Sequence, residues 1–62
     1  MVHKIKEIAK SKHLTIAKVE RMSNITERTI QRWDKQEPSV FKVYRVAQTL
    51  GTTVEELIEG DV

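Results

Sequence analysis

The chain has 62 residues, 39% of them hydrophobic and 32% charged, with a formal net charge of +2. A chain this short buries only about 60% of the surface that its unfolded form exposes, which allows one thin core and leaves no room for a second lobe or multi-site catalysis. Cysteine is absent, which removes disulfides, thiolate metal sites and thiol nucleophiles; no apolar run exceeds two residues, too short for a signal peptide or for a membrane span of about 20 residues.

The expectation is a single soluble, cytoplasmic domain over residues 1–62. Apolar residues recur mostly three or four apart, with only two Gly and one Pro, so the pattern is all-α, a compact set of five short helices. The first helix, about residues 2–12, lines up Ile5, Ile8 and Ala9 among lysines. Thr15 caps a second, about 16–22, that turns Ile16, Val19 and Met22 inward. Ser23-Asn24-Ile25 breaks it, Asn24 being a residue type that tolerates a left-handed helix end.

Thr26 repeats the capping chemistry for a third helix, about 26–35, whose inward residues are Ile30 and Trp33. Pro38-Ser39 ends the connector and caps the fourth helix, about 40–50. Its Val40, Phe41, Val43, Tyr44, Val46, Ala47 and Leu50 make the most apolar stretch, with Phe41 and Tyr44 read as core. Gly51 stops it. Thr53-Val54-Glu55-Glu56 matches a capping box in which Glu56 reaches back to the cap amide, Leu57-Ile58 add apolar contact, and Gly60 closes a fifth helix.

Helices two and three, joined by a three-residue turn, have the spacing of a DNA-binding helix-turn-helix. With Ile30 inward and about 100° per residue, Arg28, Arg32 and Lys35 share the opposite ridge. Gln31 and Glu27 flank it on one side and Thr29 on the other. Arg can grip guanine through two bonds, Gln pairs with adenine, Glu accepts from cytosine, and Thr touches a phosphate or a thymine methyl. A charged outer face also serves a helix that merely stays soluble.

These residues resemble the Cro/Xre-type repressors of phages and bacteria, a five-helix fold related to lambda-repressor-like DNA-binding domains. The resemblance is carried by Val19 to Thr26, by Thr29-Ile30-Gln31-Arg32-Trp33-Asp34, by Pro38-Ser39, and by the ending Ala47-Gln48-Thr49-Leu50-Gly51 with Thr53 to Ile58. It implies that Thr26 starts the recognition helix, that Glu27, Arg28, Thr29 and Arg32 face base edges, and that Lys35-Gln36-Glu37 runs beside the phosphates. The chain departs from the family pattern in three respects. Ile16 replaces a phosphate-binding Gln, whose contact passes to Thr15 or Lys18. Glu20 and Asn24 replace a small residue and a turn Gly. Ala9 and Asp34 stand where the family commonly has an ion pair.

The expected function is a transcriptional regulator that binds double-stranded DNA, with Glu27, Arg28, Thr29, Gln31 and Arg32 reading bases and Thr15, Lys18, Thr26, Lys35 and Gln36 holding phosphates. The alternatives are a protein-docking or antirepressor use of the same fold, or the DNA-binding part of a longer repressor. One module contacts few base pairs, so a homodimer is expected, through Leu57, Ile58 and Val62. His3 and His13 read as surface residues; no metal, cofactor or catalytic set is expected. The charge supports DNA: residues 1–45 carry eleven Lys/Arg against five acids, a balance of +6, and residues 46–62 carry four acids and no base, −4. An acidic end that DNA repels orients the basic body on a duplex.

Overall fold

In the computed structural model the first helix, α1 (Val2–Ser11), buries Val2, Ile5 and Ala9, three positions on one helical stripe, and leaves its lysines outward. The structure describes residues 1–59, so the stop expected at Gly60 lies outside the described residues. The remaining helices are α2 (Ile16–Met22), α3 (Thr29–Arg32), α4 (Val40–Leu50) and α5 (Val54–Glu59). All five bury a side chain in one core: Ile5, Val19, Ile30, Val46, Leu50 and Leu57 are fully enclosed. Packing runs α1 on α2 and α5, α4 on α2 and α5, and α3 on α2.

Three of the helices end alike. After α1, α2 and α4 a single residue turns left-handed, His13 (φ 60), Asn24 (φ 59) and Gly51 (φ 70). The amide that follows then reaches back to an orphan carbonyl: Leu14 to Ala9 at 2.8 Å, Ile25 to Glu20 at 3.0 Å, and Thr52 to Ala47 at 2.9 Å. This is the six-to-one closure of a helix C-terminus. Asn24 and Gly51 are the expected residue types, and His13 belongs to the few others enriched in that region. At Gly51 the Lys12 ammonium lies 3.6 Å from where a Cβ would stand. It brings positive charge to the C-terminus of α4, whose own last turn has no base, a favourable placement against the helix dipole.

The caps follow the sequence in part. Thr15 Oγ1 accepts from the Lys18 amide at 3.1 Å, as expected. Thr53 Oγ1 accepts from the Glu56 amide at 3.2 Å, but the Glu56 carboxylate takes the Thr52 hydroxyl and leaves the cap amide aside. Ser39 stands at the N-cap of α4 without making a side-chain cap bond.

The apolar surface of α4 is the main departure. Val43, Val46, Ala47 and Leu50 are buried, whereas Val40, Phe41 and Tyr44 are 73%, 78% and 52% exposed. The expected core role of Phe41 and Tyr44 fails because α2 and α5 cover only one side of α4. Met22 is also outward, at 54%. The inner face of α2 runs through Val19, Glu20 and Ser23 instead, and the Ser23 hydroxyl meets that of Thr49 at 2.8 Å, tying α2 to α4.

Candidate nucleic-acid interface

The turn after α2 forms where Asn24 closes that helix, and Ile25, half-buried against the core, anchors the chain before α3. The third helix is shorter than its periodicity predicts. A regular helix from Thr26 would send the Ile30 amide to the Thr26 carbonyl. Instead Ile30 N donates to Glu20 Oε2 at 2.9 Å and Arg28 N donates to Glu20 Oε1 at 3.1 Å, while the Thr26 carbonyl accepts from Thr29 N at 3.2 Å. Arg28 sits between these bonds at φ 70 and ψ 3, and regular helix begins only at Thr29. Thr26 is therefore not the side-chain cap expected of it. The acceptor for the first-turn amides is the carboxylate of Glu20, only 2% exposed, on the preceding helix.

This start rearranges the outer face. Glu27, Arg28, Gln31 and Arg32 are exposed, as base reading requires. Thr29 is 7% exposed and lines the hollow beside Arg32, so it presents little surface to a base edge. The left-handed Arg28 steps out of the helical wheel, and the single ridge of Arg28, Arg32 and Lys35 does not form. Arg28, Glu27 and Gln31 border a hollow of about 200 Å³ against Ile16 and Ala17 of α2. Arg32 borders another, about 230 Å³, with Thr26, Gln36, Ser39 and Lys42. Lys35 follows α3 in a turn and lies toward Met1 and Asp34. Ile30 is fully buried and Trp33 half-buried against the core, as their spacing predicts.

Thr15 and Lys18 stand at the N-terminus of α2, next in the chain to Ile16 and Ala17, which border the Arg28 hollow; Thr26 and Gln36 line the Arg32 hollow. Two residues beside Arg32 were missed: Ser39, the N-cap of α4, and Lys42, from its first turn. Ser39 reads in the sequence only as a cap and Lys42 carries no local signal there, and only the fold of the connector brings them beside Arg32. Among the described residues the ion pairs within 4.0 Å are His3 with Glu7 at 3.9 Å and Lys4 with Glu7 at 4.0 Å. Arg28, Arg32, Lys18 and Lys42 thus have no carboxylate partner there. No group of three His, Cys, Asp or Glu side chains with metal-binding geometry occurs among the described residues.

A family model described as helix-turn-helix matches the chain over residues 5–57, a span bounded by the two fully buried residues Ile5 and Leu57. No curated protein and no solved structure matches it.

Proposed function

The chain belongs to the Cro/Xre-type helix-turn-helix family, whose domains are DNA-binding regulators, and from that membership we propose that it is a sequence-specific transcriptional repressor that reads the major groove with α3. The observation that carries the reading is the rim of α3: two exposed arginines on opposite flanks, both without an ion-pair partner among the described residues. Arg28 and Arg32 each offer a fork to a guanine, Gln31 can pair with adenine and Glu27 can accept from cytosine. Lys18 and Thr15 on one side, and Gln36, Thr26, Ser39 and Lys42 on the other, hold the phosphates that border the groove and set the register. Lys35 adds charge behind them. A regulator of this kind acts in the cytoplasm of a bacterial or phage-infected cell, where its operator is. No helix among the described residues is long and apolar enough to cross a membrane.

One module of this size covers a half-site, so the proposed active form is a homodimer on two half-sites one helical turn apart, about 34–36 Å. Ile58, 47% exposed, supports its expected place in the contact, together with Val40, Pro38 and Val54 around an apolar hollow of about 210 Å³. Leu57 is fully enclosed in its own core and is not available for it. Val62 lies outside the described residues. A second reading, a protein-docking module, is favoured by the outward Phe41 and Tyr44. Selection of duplexes from a random pool, followed by titration of the selected site, separates the two. The DNA reading expects Arg28→Ala and Arg32→Ala each to lose about 10- to 100-fold in affinity for that site with folding intact. Unchanged affinity overturns it.

A further inference from the structure

Glu20 is a buried acid in a position where acids are rare, and it has no cation within 4.0 Å among the described residues. Its polar needs are met by main-chain amides alone: Arg28 N at 3.1 Å and Ile30 N at 2.9 Å. An ionised carboxylate only accepts, and its two oxygens satisfy two donors at once. The amide between them, that of Thr29, goes to the Thr26 carbonyl at 3.2 Å. Three successive donors at the entry to α3 are thus assigned, two of them to one side chain eight and ten residues upstream.

Glu20 therefore competes with the Thr26 carbonyl for the Ile30 amide, and the competition has a geometric result. With the amide on Thr26, residues 27 and 28 join the helix and the Arg28 Cα–Cβ bond takes its helical direction. With the amide on Glu20, Arg28 is held at φ 70, and its exposed side chain leaves the backbone on the flank beside Ile16 and Ala17. We propose that Glu20 is a positioning residue for sequence recognition: by pinning the Arg28 and Ile30 amides it fixes the direction from which Arg28 enters the groove, and so selects the base that this arginine reads. The inference rests on the DNA reading of α3.

The test compares the wild-type protein with Glu20→Ala, Glu20→Gln and Arg28→Ala, each assayed for folding by circular dichroism and for base preference by selection from a random duplex pool. The positions whose preference Arg28→Ala flattens are those read by Arg28. Glu20→Ala is expected to lose or exchange the preferred base at those positions, with discrimination there falling about 10-fold or more. Preference at the positions that depend on Arg32 stays within twofold. The Arg28 Cα and Cβ chemical shifts, measured without DNA, are expected to move from left-handed to helical values. Should Glu20→Ala fail to fold, Glu20→Gln keeps the shape with one acceptor oxygen, and the same selective loss is expected in milder form. A folded Glu20→Ala or Glu20→Gln protein with the wild-type preference at the Arg28 positions overturns the inference alone. An Arg28→Ala selection identical to wild type overturns the inference together with the base-reading role of Arg28 on which it rests. A wild-type protein that selects no sequence overturns the DNA reading, and the inference with it.

Discussion

Replacing Arg28 by glycine is expected to stabilise the fold while removing DNA recognition, and replacing it by alanine to do only the second. Arg28 holds φ 70 because two amide bonds to Glu20 and one to Thr26 leave the chain no other course. A left-handed conformation costs a residue with a Cβ about 1–2 kcal/mol, and glycine escapes that cost. Glycine also makes the unfolded chain more flexible, which returns about 0.4–1 kcal/mol. The net gain of Arg28→Gly over Arg28→Ala is then about 0.5–1 kcal/mol, or a melting temperature higher by about 2–8 °C for a domain of this size. Both variants lose the guanidinium and fall equally in affinity for the selected duplex. Thermal melts followed by circular dichroism read the first effect, and fluorescence anisotropy the second. His13→Gly is the internal control: φ is 60 there too, the site lies at the end of α1, and the same thermal gain is expected with DNA affinity unchanged. Equal melting temperatures for the Gly and Ala variants at position 28 would refute the assignment of strain.

Ile30→Ala removes a fully buried side chain from the contact of α3 with the core and is expected to cost about 2–5 kcal/mol, enough to leave much of the chain unfolded at 37 °C by urea or thermal titration; a loss under 1 kcal/mol contradicts the packing. Thr29→Val keeps the shape of a residue that is 7% exposed, so base preference in a pool selection is expected to stay as in the wild type, and a change confined to one base position would return Thr29 to the readers. Lys42→Ala is expected to weaken binding to all sequences alike and to lower the slope of log K against log salt by about 1; an unaltered slope removes Lys42 from the phosphate contacts. Gly51→Ala meets only the Lys12 ammonium at an ordinary 3.6 Å, so its expected net cost of about 0.5–1 kcal/mol comes from the backbone at φ 70 alone, the left-handed penalty less the unfolded-chain freedom that alanine removes, and a neutral effect on the melting temperature would contradict it.

The helices legible in the sequence are those whose signals are local. Thr15 and the Lys18 amide are three residues apart, as are Thr53 and the Glu56 amide, and Asn24 and Gly51 bend the chain through their own backbone preferences. The periodicity of Ile5 with Ala9, and of Ile30 with Trp33, likewise needs only the helical repeat to be read. The reading failed where the answer depended on a neighbour distant in the chain. Phe41 and Tyr44 carry the same apolar signal as Val43 and Val46, and only the positions of α2 and α5 decide which pair is covered. Thr29, with its small polar side chain, looked like a surface residue, yet the short start of α3 turns it inward.

By itself the sequence determined an all-helical chain, the positions of four of its helices, the cations that flank the third, and the separation of a basic body from an acidic end. These follow from composition and from interactions within a single turn of helix. Only the tertiary structure decided how α3 begins, which arginine leaves the helix, and that Ser39 and Lys42 stand beside Arg32. The reason is that the deciding acceptor, the Glu20 carboxylate, sits on another helix. An acid on a short helix reads as a solvated charge until packing excludes water from it, and buried there, it must find donors. The donors it finds are the amides that would otherwise have lengthened α3.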